Sequence, residues 1–185
     1  MLDKLTNAIQ TRARLATVTA FGALYALFAA ALNYCGAELD RRGGGPVLDL
    51  RHSFTAEEAH AVLGAYGPDG RRLYFLLELV DLIYPLVYTA FFALIIAYVL
   101  KRSLPPTSAL QRLVLLPLAA VIADYLENIG LLMMCATYPE RWPRLGDAAG
   151  IFNATKWLIA AACIAVAALG ILGCLIKALL RFRRA

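Results

Sequence analysis

The chain alternates between long apolar stretches and shorter polar segments. Four apolar stretches reach the about 20 residues that an α-helix needs to cross the hydrocarbon core of a bilayer. Their approximate bounds are residues 15–35, 73–100, 113–138 and 151–176. The pattern predicts an all-α polytopic membrane protein in which residues 1–185 form a single domain, a bundle of four transmembrane helices.

The segment between the first two stretches, residues 36–72, is predicted to be an outer loop that contains one short amphipathic helix. Residues 55–58 have the Thr-x-x-Glu pattern of a capping box, which marks the start of a helix. Apolar residues then follow at helical spacing, and residues 67–70 (Gly-Pro-Asp-Gly) are typical of a closing turn. We expect this helix either to lie along the outer face of the membrane or to cover the mouth of the bundle.

Composition and charge support this prediction and give it an orientation. Hydrophobic residues make up 61% of the chain and the mean hydropathy is +0.66, values that exclude an ordinary soluble domain. Segments 1–14, 101–112 and 177–184 together carry ten basic residues and one acid, whereas the opposite side carries seven arginines and eight acids. The positive-inside rule then places both termini in the cytoplasm. We expect a bacterial inner-membrane protein with its first span uncleaved, and the net charge of +5 needs no nucleic acid as a partner.

The four cysteines include no CxxC pair, which gives little support to thiol-redox or zinc chemistry. Two of them, Cys35 and Cys135, lie near the outer ends of their predicted spans. The sequence leaves two interpretations open: a disulfide between them if that side is oxidising, or two small apolar side chains in the packing.

Five ionisable residues interrupt the predicted spans: Glu78, Asp81, Asp124, Glu127 and Lys156. An ionisable side chain costs about 2.5–3.5 kcal/mol at the centre of a membrane helix unless it finds a partner or water. We therefore expect the five side chains to face one another inside the bundle. Because four carboxylates accompany one lysine, some of them are expected to be protonated at neutral pH.

Other polar and aromatic residues share the helix faces of these groups. In the second span, a stripe at helical spacing runs from Tyr74 to Tyr88 and includes Pro85, which predicts a kink that opens the bundle beside the acids. The sequence predicts one pocket in the outer half of the bilayer, between spans two, three and four. The candidate ligand-binding residues are Tyr74, Tyr84, Tyr88, Tyr125, Asn128, Asn153, Lys156 and Trp157.

These groups support acid–base chemistry or the binding of a polar ligand. A protonated carboxylic acid and a carboxylate can act as general acid and general base. Both histidines, His52 and His60, lie in the outer loop, so no histidine-ligated haem or metal centre is predicted and no cofactor is implied. The candidate catalytic residues are Glu78, Asp81, Asp124 and Glu127.

The second span carries a short pattern, Leu77-Glu78-Leu79-Val80 followed by Tyr84-Pro85 and Tyr88. This pattern resembles the second span of the EXPERA superfamily, which includes the emopamil-binding sterol isomerases and the related sigma-type receptor. Four spans, cytoplasmic termini and a long first outer loop are similar features. The resemblance implies that Glu78 faces a pocket for sterols and cationic amphiphiles. The sterol isomerases also use an intramembrane histidine, which this chain lacks.

The leading hypothesis is a protein that binds a lipid, isoprenoid or amphiphilic small molecule whose polar end meets the acids. The sequence leaves open whether binding is accompanied by isomerase- or cyclase-type turnover. A second hypothesis is a proton- or cation-translocating protein or channel subunit, because chains of acids in spans also mark proton relays. A third is an accessory subunit of a larger membrane complex. Membrane lipids are expected partners, and the sequence also permits a homo-oligomer.

Overall fold

The computed structural model describes residues 2–182, which are mostly helical with no strand in that range. The α-helices are α1 (Leu2–Arg12), α2 (Leu15–Leu39), α3 (Ala56–Ala65), α4 (Gly67–Asp81), α5 (Tyr84–Ser103), α6 (Leu116–Ala136) and α7 (Pro143–Phe182). A π-helical segment covers Asp40–Gly44, and 3₁₀ segments cover Leu48–Leu50 and Ala109–Leu115. The predicted all-α fold is therefore confirmed.

Four helical units are long and apolar enough to cross a membrane: Leu15–Gly43, Gly67–Ser103, Ala109–Ala136 and Pro143–Phe182. They overlap the four stretches predicted from the sequence, although most of their ends differ from the predicted bounds by several residues. Helix α5 is the central element, because it packs against α2, α6 and α7. Helix α2 is the most peripheral of the four, and most of its apolar side chains are exposed.

The second unit is interrupted where the sequence predicts a kink. Helix α4 ends at Asp81, two residues form a turn, and α5 begins at Tyr84 with Pro85 in its first turn. Proline is tolerated in that position because the first N–H groups of a helix have no partner within it. The Tyr125 hydroxyl donates a hydrogen bond to the carbonyl of Leu82 at 3.0 Å, which fixes the break against α6.

The outer segment contains the predicted helix but not the predicted turn. Thr55 caps α3 through a capping box with Glu58, as the sequence indicates. Residues 67–70 instead form the first turn of α4, so the separate closing turn was wrong. The chain changes direction at one residue, Gly67, whose φ of +65° is open to glycine without strain.

Helix α3 covers the outer end of the bundle. Its apolar side chains Ala59, Val62 and Leu63 are buried, and the helix packs against α4, α7 and the π-helical segment. Helix α3 therefore packs on the bundle itself, and the end that it covers is called the outer end after the predicted topology. The outer core around it consists of Leu39, Val47, Leu48, Phe54, Ala59, Val62, Leu63, Tyr66, Tyr74, Leu77, Leu131, Met134, Cys135 and Ala149.

Residues 47–55, here called the cap segment, lie directly on the outer part of α7. A Cβ atom at Gly150 would overlap the Phe54 carbonyl oxygen, and one at Gly146 would overlap Ala56. Only glycine permits this approach of two backbones. The Ser53 hydroxyl donates to the Gly150 carbonyl at 3.2 Å, which adds a polar contact at the same place.

The opposite, inner half of the bundle has an apolar core that α1 closes from the end. Lys101 Nζ donates to the carbonyl of Ala13, the residue after α1, so residues 2–14 pack on the bundle. All four cysteines are free, and Cys135 Sγ lies 3.3 Å from the Arg71 carbonyl, so the disulfide alternative is not realised. The inner core consists of Ala13, Val18, Leu94, Ile96, Ala97, Val99, Leu100, Val114, Cys163 and Ala167.

Candidate functional site

Lys156 on α7 is the centre of a buried group of charges. Its Nζ atom lies 2.5 Å from Glu127 Oε2, 3.5 Å from Asp124 Oδ1 and 3.6 Å from Asp49 Oδ1. The lysine side chain is 11% exposed, and those of Glu127 and Asp124 are 0% and 3% exposed. The three ion pairs are therefore shielded from bulk solvent. Ion pairs on a protein surface are weak because solvent and salt screen them, and this screening is reduced here.

The second and third units add hydrogen bonds to the same group. The Tyr88 hydroxyl donates to Asp124 Oδ2 at 2.8 Å, and Asn128 Nδ2 donates to Asp81 Oδ2 at 2.9 Å. These contacts join α5 to α6 and α6 to α4. The prediction that the five intramembrane ionisable residues face one another is consistent with this geometry.

Glu78 occupies the most enclosed position. Its side chain is 0% exposed, and neither carboxylate oxygen has a hydrogen-bond partner among residues 2–182. Oxygen atoms of Glu78, Asp81 and Asp49 lie within 4.8 Å of one another. We call Asp49, Glu78, Asp81, Asp124, Glu127 and Lys156 together the polar cluster.

A cavity of about 160 Å³ lies against one side of the polar cluster. Its exposed lining residues are Asn33, Leu50 and Trp157, so the mouth lies between α2, the cap segment and α7. The remaining lining residues are Tyr25, Ala29, Leu32, Val47, Asp49, Leu77, Asp81, Tyr84, Tyr88, Phe92, Asp124, Lys156 and Ala160.

Six of the predicted site residues line this cavity: Asp81, Tyr84, Tyr88, Asp124, Lys156 and Trp157. Glu78, Glu127 and Asn128 lie outside the lining, and all three are fully buried. The acid of the second span that lines the cavity is therefore Asp81, whereas the resemblance implied Glu78.

Three predicted ligand-binding residues have structural contacts elsewhere. Tyr74 packs against Tyr66 in the outer core with ring centroids 5.5 Å apart, and Tyr125 holds the break between α4 and α5. Asn153 Nδ2 donates to the carbonyls of Leu48 and Arg51 at 3.1 and 3.0 Å, so it holds the cap segment.

Two parts of the site were not predicted from the sequence: Asp49 and the contribution of the first span. Asp49 was counted among the acids of the outer loop, but the cap segment places it beside Lys156, and Trp157 Nε1 donates to its carbonyl at 3.0 Å. Its one signal in the sequence is its position within Val47–Leu50, where it is the only polar residue. On α2, Tyr25 stacks on Tyr84 with centroids 5.7 Å apart and forms a cavity wall.

The polar cluster carries five carboxyl groups and one ammonium group. Carboxylates in a site of low dielectric repel one another strongly, so the surplus has to be compensated by protons or by further cations. A positively charged or hydrogen-bond-donating ligand would supply compensation of this kind.

Comparisons with protein-family models, with curated proteins and with solved structures find no match to this chain. The resemblance to the EXPERA superfamily thus remains a sequence-based expectation. The candidate function has to be argued from the cavity and the polar cluster themselves.

Proposed function

We propose that this chain is an integral protein of the bacterial inner membrane, with both termini in the cytoplasm, that binds the polar end of an amphiphile. Four helical units of sufficient length and apolarity support insertion into a bilayer. The excess of basic residues in segments 1–14, 101–112 and 177–184 supports the orientation.

The observation that carries the proposal is the composition of the cavity wall. Asp49, Asp81 and Asp124 contribute carboxylates, whereas Lys156 is already paired with three acids. Aromatic rings from Tyr25, Tyr84, Tyr88, Phe92 and Trp157 form much of the remaining wall. Carboxylates with aromatic faces are the surroundings that favour an ammonium group, through charge-assisted hydrogen bonds and cation–π contacts.

The size of the cavity limits how much of the ligand it encloses. A cavity of roughly 150 Å³ in a protein core holds a molecule the size of benzene, and this one measures about 160 Å³. It accommodates a head group and a few carbon atoms. The apolar tail would then leave through the mouth between α2 and α7 and lie in the lipid.

The packing of the inner half supports binding over translocation. Its core consists of the apolar side chains described above, and the cavity does not extend among them. A proton or cation crossing one chain would need polar groups or water there, since charge in hydrocarbon is costly. We therefore propose a binding site on one side of the membrane rather than a conduction path.

Fluorescence of Trp157 at the cavity mouth gives a test of this function. The chain has two tryptophans, so a Trp142→Phe background leaves Trp157 as the reporter. A long-chain alkyl amine titrated into the purified protein in detergent should change this fluorescence saturably. Ala160→Phe, which adds a ring inside the cavity, should weaken binding at least tenfold, ~1.4 kcal/mol.

The matched control is Ala161→Phe on the neighbouring, exposed position of α7, which should bind the amine as the background protein does. Equal affinities in the two phenylalanine variants would contradict binding in the cavity. Mass spectrometry of the small molecules that Ala161→Phe retains and Ala160→Phe loses would identify the natural ligand.

A further inference from the structure

Lys156 neutralises only part of the negative charge of the polar cluster. Its ammonium group pairs with Asp49, Asp124 and Glu127 but not with Glu78 or Asp81. Glu78 and Asp81 lie one helical turn apart at the end of α4, and Asp49 of the cap segment lies across from them. This leaves three carboxylates that converge on one place, two of them without the lysine.

The neutral side chain beside these acids has an oxygen atom without a partner. Asn128 is 0% exposed and donates its amide N–H to Asp81, while its Oδ1 atom accepts no hydrogen bond from the described residues. Neither oxygen of the fully buried Glu78 has a hydrogen bond of good geometry within residues 2–182, although the side chains of Tyr74 and Asp49 lie close enough to interact with it. A buried acceptor that lacks a donor destabilises the folded state, and a bound cation would remove that cost for several acceptors at once.

We propose that Asp49, Glu78, Asp81 and Asn128 form a binding site for Ca²⁺. All four supply oxygen, the ligand atom of hard cations, and none supplies the nitrogen or sulfur that zinc sites favour. Ca²⁺–oxygen distances of about 2.3–2.6 Å separate opposite ligands by about 4.6–5.2 Å, whereas Mg²⁺ requires about 4.2 Å or less. The carboxylate oxygens all lie within 4.8 Å of one another, close enough to share one ion. Three carboxylates and an amide also form the kind of all-protein oxygen set that Ca²⁺ accepts, whereas Mg²⁺ usually keeps several waters and binds one or two carboxylates.

This site adjoins the amphiphile cavity and shares two residues with it, and it differs from the expectation of the sequence, which predicted no metal. Glu78 and Asn128 lie behind the cavity wall, and Asp49 and Asp81 are shared with it. One Ca²⁺ and one lysine still leave the five carboxylates with a net charge of −2. The polar cluster as a whole therefore stays negatively charged when the cation is bound.

Calcium binding to the whole protein, purified in detergent and stripped with a chelator, tests the proposal. Titration with Ca²⁺ should show one ion per chain and raise the thermal unfolding temperature, with Mg²⁺ at least tenfold weaker. Glu78→Gln should lower Ca²⁺ affinity at least tenfold. Glutamine has the shape of a protonated glutamic acid, so this variant is expected to fold, and Asp49→Asn in the cap segment provides a second test outside the bundle.

Two controls distinguish this site from nonspecific surface binding of Ca²⁺ and from the amphiphile cavity. Glu57→Gln on the exposed face of α3 should bind Ca²⁺ as the wild type does. Ala160→Phe should also bind Ca²⁺ normally, since it fills the cavity and not the cation site, so failure of the proposed amphiphile binding would leave this result intact. The proposal is overturned if the wild type binds no Ca²⁺, or if Glu78→Gln and Asp49→Asn bind it with unchanged affinity.

Discussion

Replacing Lys156 by methionine should destabilise the protein more than any other single change in the polar cluster. Methionine has a similar length but no charge, so Asp49, Asp124 and Glu127 would lose their shared cation together. Removing one partner from a buried ion pair costs about 3–5 kcal/mol, because the remaining charge is left uncompensated. The low exposure of the lysine and of Glu127 means that solvent screening does not reduce this figure.

A second change should recover part of this loss. In the Lys156→Met background, Glu127→Gln removes the carboxylate nearest to the lost ammonium, 2.5 Å away in the wild type. The double variant should therefore be more stable than Lys156→Met alone. The interaction energy from the double-mutant cycle should fall in the upper part of the usual range of about 0.5–3 kcal/mol.

Titration with a denaturing detergent, followed by far-ultraviolet circular dichroism, gives the free energy of unfolding for each variant. Lys4→Met, at an exposed position in α1, is the matched control and should change stability by less than about 0.5 kcal/mol. A loss below about 1 kcal/mol for Lys156→Met would refute the reasoning. So would additive effects of the two changes, because they would mean that the lysine and Glu127 do not interact.

Two further predictions concern the outer segment. Gly150→Ala forces a Cβ atom into the Phe54 carbonyl, so it should displace the cap segment, cost about 1–3 kcal/mol and increase proteolysis there. Gly36→Ala, whose Cβ atom would meet only ordinary contacts at 3.5 Å, should be tolerated, and equal sensitivity of the two variants would contradict this interpretation. Hydrogen bonds from the backbone and side chain of Thr55 hold the pKa of Glu58 below its ordinary value of 4.5. The ionised Glu58 side chain therefore stabilises α3 fully above about pH 4.5, and this stabilisation is lost as the pH falls through the pKa of the folded state. Protection factors for hydrogen exchange in α3, which correct for the slower intrinsic exchange in acid, should fall in that acidic range, and a Thr55→Ala variant that keeps the same acid dependence would exclude the cap as its cause.

The helical units could be predicted because their signals are local. Length and apolarity decide whether a stretch can cross a bilayer, and the capping box at Thr55 and the proline at position 85 act within one helical turn. The cost of isolated charges in hydrocarbon also predicted that Glu78, Asp124 and Lys156 would be close to other polar groups.

The cap segment could not be predicted in the same way, because it depends on distant contacts. Gly150 has no functional signal in the sequence and Asn153 was predicted to bind a ligand, yet both hold a loop about one hundred positions earlier in the chain. Asp49 reads as one acid among eight on its side of the protein. Its place beside Lys156 follows only from the packing of that loop. The same packing decides which acids of the polar cluster line the cavity and which are enclosed behind it.

Photochemical labelling with residue mapping tests the central claim, that an amphiphile binds with its polar end at the polar cluster, most directly. A long-chain amine with a diazirine on the carbon next to the nitrogen would be irradiated with the protein in lipid vesicles and the products located by mass spectrometry. We expect adducts on Asp81, Asp124 or Tyr88, suppressed by unlabelled amine and by Ala160→Phe. Labels confined to lipid-facing residues such as Leu158 and Leu169, and insensitive to competitor, would contradict the claim.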